Sequence, residues 1–189
     1  IIISVVVGVV LTLPISSAAI CAAVGISGGA VLAGVLDGSI SMDVWNGLAL
    51  AGGAATVGCC CNMLGFAVIS YPDNGVGGLV AQGLGTSMLQ VPNLMRKPVL
   101  WIPPVLTSAI LGPVATCIFQ LRNNGAAISS GMGTAGLVGP IGIITGWSNM
   151  PEGYAVGAFD WLGMILVCFV LPVLLSWAIG KFMRKKGWI

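Results

Sequence analysis

The chain has 189 residues, 57% of them apolar and 6% charged, with seven basic and five acidic side chains, no histidine and a mean hydropathy of +1.06. Soluble domains carry roughly 25% charged residues, so this stock cannot clothe a water-facing surface, whereas a bilayer asks only for apolar side chains. A net charge of +2, with the main basic cluster directly after an apolar run, gives nucleic-acid binding no support.

In chain order, residues 1–24 read as a transmembrane run interrupted by Pro14. It has no basic n-region and no convincing cleavage site, so it is not read as a signal peptide; it is expected to belong to a longer chain. Residues 25–34 are apolar but glycine-rich, and residues 37–43 form a polar break. The second span covers 45–71, with Trp45 and Tyr71 as interfacial aromatics. Pro72-Asp73-Asn74-Gly75 then signals a turn.

A third span covers 101–121 and begins just before Pro103-Pro104, where proline is tolerated because first-turn N–H groups lack helical partners anyway. The fourth, 158–182, has Trp161 near one end and Lys181, Arg184, Lys185, Lys186 and Trp188 at the other. Its length matches the ~20 residues needed to cross the hydrocarbon. Basic residues favour the cytoplasmic side, which places the C-terminal tail and Arg96-Lys97 inside and leaves Arg122 outside.

The six cysteines form no disulfide framework: Cys59, Cys60 and Cys61 are consecutive, and Cys21, Cys117 and Cys168 stand alone in apolar surroundings. Without histidine or a Cys-x-x-Cys pair, a zinc or redox site has little support, and buried small side chains are the expected role.

One pattern occurs twice, 48 residues apart. Gly83-Leu-Gly85-Thr86-Ser87-Met-Leu-Gln90-Val-Pro92 and Gly131-Met-Gly133-Thr134-Ala-Gly-Leu-Val-Gly-Pro140 both read G-x-G-T-small-x-L-x-x-P, and Asn74-Gly75 and Asn124-Gly125 precede them. Each copy is apolar enough for burial but too rich in glycine and proline for a good spanning helix. Irregular backbone at membrane depth needs protein or a cavity around it. Paired interrupted segments are also the best sequence pointer to a transporter's binding site. Thr86, Ser87 and Thr134 add hydroxyls that suit a polyol. The plain alternative is close packing, for which Gly25/Gly29, Gly29/Ala33 and Gly142/Gly146 have the spacing.

Polar groups in apolar surroundings are costly without partners. Asn62 lies mid-span, where a helix-to-helix hydrogen bond would explain it equally well. Gln82, Gln90 and Asn93 flank the first copy, and Asn123 and Asn124 precede the second. Glu152 reads as a solvated loop acid. No nucleophile–base pair, metal cluster, phosphate loop or dinucleotide fingerprint is present, so no catalytic residue and no cofactor is expected.

The runs GLGTSMLQVPNLMRKP, WIPPVLTSAILGP and GMGTAGLVGPIG, with the closing LPVLLSWAIGKFMRKKGWI, resemble the enzyme IIC components of the bacterial phosphoenolpyruvate-dependent sugar phosphotransferase system, over about residues 13–189. The resemblance implies one IIC-like domain (1–189), the C-terminal half of a longer protein in the bacterial cytoplasmic membrane. It also implies a homodimer that binds a sugar between re-entrant hairpins and presents it to a cytoplasmic IIB partner for phosphorylation. Glucose-type members use a glutamate and a histidine at the sugar, and this chain has no histidine. Either those groups belong to the rest of the longer protein, or this branch handles its substrate differently, so a non-sugar ligand or secondary transport without phosphorylation stays open. A structural or sensory role is opposed by the paired interrupted segments, which a purely structural bundle does not need. The expected architecture is all-α and polytopic, with about four spans and two re-entrant hairpins. The site would use Asn62, Gln82, Thr86, Ser87, Gln90, Asn93, Asn124 and Thr134, with Gly83, Gly85, Pro92, Gly131, Gly133 and Pro140 shaping the hairpins.

Overall fold

The computed structural model describes residues 42–125, 127–148, 150 and 154–189, and every regular element among them is helical. The first predicted span, the Gly25/Gly29 and Gly29/Ala33 pairs, Cys21 and Glu152 lie outside the described residues.

Helix α1, Met42–Ile69, is 28 residues long, or about 42 Å at 1.5 Å per residue. No proline interrupts it, and Asp43 sits in its first turn, where a carboxylate complements the helix dipole. The predicted turn at 72–75 forms the opening of α2, Tyr71–Val80, with Pro72 in its first turn and the Asp73 and Asn74 N–H groups donating to the Ser70 carbonyl. Gly75 (φ 60°, ψ −156°) then kinks the helix, in a backbone conformation open to glycine alone. A π turn, Ala81–Gly85, a 3-10 turn, Ser87–Gln90, and the short α3, Val91–Arg96, follow.

Helix α4, Ile102–Pro113, starts on its proline pair as expected and continues as a π turn, Val114–Ile118. Pro113 cannot donate a helical hydrogen bond, and the ladder widens directly after it. After the short α5, Ala127–Met132, and α6, Val138–Trp147, comes α7, Ala158–Ile165. It runs through a π turn, Leu166–Val170, into α8, Leu171–Lys185, where Pro172 is the interrupting residue. Among the described residues, three helical stretches are thus long and apolar enough to cross a membrane: Trp45–Ile69, Pro98–Ile118 and Ala158–Lys185. They coincide with the second, third and fourth predicted spans.

These stretches pack around α1, which is mostly enclosed by protein. Val57, Cys60, Cys61, Leu111, Ala115, Met164, Val167 and Cys168 form the core between them. Thr107 and Ser176, both fully buried, share a hydrogen bond of 3.1 Å between α4 and α8. Gly65 lets α1 approach both helices, since a Cβ there would lie 3.0 Å from Pro104 and from Ser176. The outer faces carry exposed Leu106, Ile110, Ile165, Leu174 and Trp177, a surface that suits lipid.

The two ends of α1 differ. At one, Arg122 Nε donates to Asn46 Oδ1 (3.2 Å), and at the other Arg184 donates to the Ile69 carbonyl (3.0 Å). Twenty-three residues of helix separate these contacts, about 35 Å, enough to cross a hydrocarbon core of about 30 Å. Aromatics gather at both ends. Phe119 stacks on Phe159 and Trp147 meets Trp161 edge-on near Arg122, while Lys181 lies over Trp177 at the basic end. Trp45 is not an exposed interfacial anchor: it is 2% exposed and packs with Ala49, Leu48 and Met150.

At the Arg122 end, Tyr154 donates to Asp160 Oδ1 (2.8 Å), with the Arg122 guanidinium over its ring. Burial first, then the Asp160 hydrogen bond and charge, push the phenol above its usual value of 10, and Arg122 only partly opposes this. The folded protein therefore holds this proton more tightly than the unfolded chain. The resulting stability is intact below pH 10 and is lost as pH rises through the folded-state value. A tyrosinate absorbance titration in a Tyr71→Phe background should show Tyr154 ionising above pH 10; ionisation at or below 10 would contradict this environment.

Candidate functional site

The repeated pattern folds twice into the same order of elements. Thr86 and Thr134 each precede a 3-10 turn (Ser87–Gln90 and Ala135–Leu137), and each turn leads into a helix with proline in its first turn, Pro92 in α3 and Pro140 in α6. The backbones differ. Thr86 is extended (φ −150°, ψ 134°), and its Oγ1 accepts from the Met88 N–H at 3.2 Å. In the second copy Gly133, Gly136 and Leu137 all have positive φ, and the Gly139 N–H closes the turn onto the Gly133 carbonyl at 2.8 Å.

The copies approach from opposite ends of α1. Asn123 N–H donates to the Ala49 carbonyl (2.9 Å), and from there α5 descends to Gly133 at Cys59 and Cys60 before α6 returns past Thr56 and Ser129 to Gly125. Gly142 and Gly146 serve packing: a Cβ on Gly146 would lie 2.6 Å from the Gly125 nitrogen, and one on Gly142 would strike Ser129. From the other end, α2 leads to Gly83 beside Leu64 and Ala67, and the chain returns through Gln90 and Asn93. The tips meet where Thr134 Oγ1 donates to the Gly83 carbonyl (2.6 Å). Gly131 lies half-buried in α5, and Gly85 has no neighbour within 4 Å of a Cβ placed on it.

Two polar networks flank this contact. On the first-copy side, Gln90 Nε2 donates to Gln82 Oε1 and Asn93 Nδ2 donates to Gln90 Oε1, each at 2.9 Å. Gln82 and Gln90 are buried, whereas Asn93 is exposed. Beside them Asn62 Nδ2 donates to Ser87 Oγ (3.3 Å), and Asn62 Oδ1 is buried with no hydrogen-bond partner among the described residues. An acceptor left in this state costs about 1–3 kcal/mol, so a ligand donor there would gain affinity from filling it.

On the second-copy side, the two protons of Asn123 Nδ2 are shared among Thr56 Oγ1 (2.8 Å), Ser129 Oγ (3.2 Å) and Ser130 Oγ (3.2 Å), and its Oδ1 accepts from the Gly125 N–H (3.1 Å) and lies within reach of the Ser129 hydroxyl (3.4 Å). Asn124 is buried in the same region. This network is satisfied and holds α5 against α1. The eight predicted residues therefore fall into a first-copy group (Asn62, Gln82, Thr86, Ser87, Gln90, Asn93), the tip contact (Thr134) and Asn124 beyond it.

A cavity of about 340 Å³ opens at the basic end of α1. Phe66, Ile69 and Leu100 form its apolar wall; Ser70, Asn74, Gln90 and Asn93 line its neutral polar side; Asp73, Arg96, Lys97 and Arg184 charge its mouth. Sequence reasoning missed Ser70, Asn74, Asp73 and Arg184 as cavity residues, and Thr56, Ser129 and Ser130 as partners of Asn123. Single hydroxyls in apolar helices carry no signal of their own. The Asp73–Arg184 pair is 111 residues apart in sequence. Among the described residues, His, Cys, Asp and Glu gather nowhere in a group of three that could hold a metal ion.

Apolar stretches long enough to span, aromatic and basic residues at their ends, and interrupted segments packed between them define a polytopic helical membrane protein. The family model described as "Phosphotransferase system, EIIC" matches residues 1–189, and the chain belongs to that family, a membrane component of solute transport. No curated protein and no solved structure matches it.

Proposed function

We propose that this chain is a IIC-type permease that binds a polar solute, in first place a sugar, and passes it to the cytoplasm. The glycine-rich segments act as two re-entrant hairpins that enter from opposite faces and meet at Thr134 and Gly83. The observation that carries the reading is the buried, unpartnered Asn62 Oδ1 beside Ser87, next to the Gln82–Gln90–Asn93 chain. Neutral amides and hydroxyls that both donate and accept match the hydroxyl pattern of a polyol. Thr86 keeps its own proton for donation, Thr134 latches the tips, and Asn124 faces the opposite approach. The basic end of α8 lies in the cytoplasm, in keeping with the charge bias of cytoplasmic loops. A separate IIB-type chain performs the phosphoryl transfer, and the working unit is a homodimer, as the family resemblance implies.

Thermal shift of the purified full-length protein against a sugar panel tests this, because a ligand of the native state raises its stability by mass action. One sugar should give a saturable shift. Asn62→Leu, Gln90→Leu and Asn93→Ala should each weaken it by about threefold to tenfold, the equivalent of one hydrogen bond. Unchanged binding in all three variants would reject the site. A second reading, a non-sugar ligand or uncoupled secondary transport, stands beside it, since these 189 residues hold no histidine of the kind that glucose-type members use at the sugar. Transport that persists in cells lacking the general phosphotransferase enzymes would establish it.

A further inference from the structure

The cavity at the basic end carries more charge than a neutral polyol needs. Arg96, Lys97 and Arg184 face a single acid, Asp73, so three cations against one carboxylate leave a surplus of two positive charges. The Arg96 and Lys97 side chains are exposed and make no hydrogen bond or ion pair among the described residues. Arg184 is engaged, donating to Asp73 Oδ2 at 2.5 Å and to the Ile69 carbonyl at 3.0 Å. Both side chains of that ion pair are open to solvent, at 37% and 63% exposure, and pairs so exposed are weak and easily displaced.

We infer that this cavity is a subsite for a phosphomonoester, in which Arg96, Lys97 and Arg184 hold the dianion and Asp73 is the internal anion that it displaces from Arg184. A phosphomonoester carries about −1.5 to −2 near neutral pH, which matches the surplus. Guanidinium forks recognise its oxygens in pairs, and an ammonium adds a point charge. The volume of about 340 Å³ sits at the low end of the roughly 300–1,000 Å³ typical of small-molecule sites. It suits the ester of a small polyol rather than a nucleotide. Gln90 and Asn93 line this cavity and also belong to the hydrogen-bonded chain that reaches Gln82, so the phosphate pocket and the hydroxyl network share a wall. Anion binding stands on the cavity alone; its role as the seat of a phosphorylated product rests on the permease reading.

The test uses the full-length protein in lipid-free detergent, with thermal unfolding followed against inorganic phosphate and a hexose monophosphate. Chloride at matched ionic strength controls for screening. Both phosphates should stabilise the protein saturably. Arg96→Gln/Lys97→Gln should weaken binding by at least about tenfold yet unfold as wild type without phosphate, since neither side chain has a partner to lose. Asp73→Asn should tighten binding by about twofold to fivefold. No shift beyond that of chloride at millimolar phosphate, or equal stabilisation of the double variant, would overturn the subsite. Stabilisation by phosphatidic acid micelles but not by the soluble ester would assign the charges to a lipid headgroup and overturn the free-ester proposal. A flat sugar panel with intact phosphate binding would remove the permease reading and leave the subsite standing; the reverse result would remove the subsite alone.

Discussion

Gly133→Val is expected to lower the stability of the protein by about 3 kcal/mol or more, while Gly85→Val, at the equivalent place in the first repeat copy, should stay within about 0.5 kcal/mol of wild type. Gly133 has φ +55°, where a β-branched side chain clashes with its own backbone. Its Cβ would also sit 2.6 Å from the Cys59 carbonyl carbon and 2.8 Å from the Cys60 nitrogen. Those are helix backbone atoms and cannot move aside. Gly85 has no positive φ and nothing within 4 Å of its Cβ position. Thermal unfolding in detergent, read by labelling of the buried Cys59, Cys60 and Cys61 thiols, would measure both. For a chain of this length the Gly133 variant should melt about 6 °C or more below wild type. Equal melting of the two variants would mean that the tip does not pack on α1 as described.

Asn123→Leu is expected to cost about 2 kcal/mol. The amide shares its two N–H protons among Thr56, Ser129 and Ser130 and accepts from the Gly125 N–H, and a leucine of similar size removes all of these contacts. Hydrogen bonds between membrane helices average about 0.6 kcal/mol each, and the groups left buried without partners add to the loss. A cycle with Thr56→Val separates the network from a packing defect. Coupled partners should give a double variant less destabilised than the two single losses combined. Strict additivity would show that the 2.8 Å contact carries no energy of its own.

Much of the scaffold was legible because hydropathy reads the solvent directly. The spans predicted at 45–71, 101–121 and 158–182 coincide with helices, since a long apolar run without charge has few other fates in a bilayer. The turn expected at 72–75 is present as a kink at Gly75, while the residues before it are helical. Pro72 signals a break in the middle of a helix, but after Ser70 it falls in the first turn of a new one, where its missing N–H costs nothing. The repeat pointed to Gln82, Gln90 and Asn93, which lie within a few residues of the motif and hydrogen-bond one another. It could not show that Thr86 caps its own turn whereas Thr134 reaches across to the other copy. That difference lies in the backbone torsions around Gly133, not in residue identity. Ser87, the partner of Asn62, and Thr56, the partner of Asn123 on α1, lie 25 and 67 residues away in sequence, and only packing brings them together.

The two polar networks sit six residues apart along α1, from Thr56 to Asn62, which is about 9 Å of helix. Between them lie Val57, Gly58 and the three cysteines, all buried. Under the permease reading, in which water wets both networks during transport, much of a membrane voltage would fall across this thin apolar layer rather than across the full bilayer. A neutral solute crossing the layer does no electrical work. A solute bearing one charge would exchange a large share of about 2.3 kcal/mol per 100 mV within a single short step. Under that same reading, the cysteine run marks the place at which a cell's membrane potential would act on a charged solute.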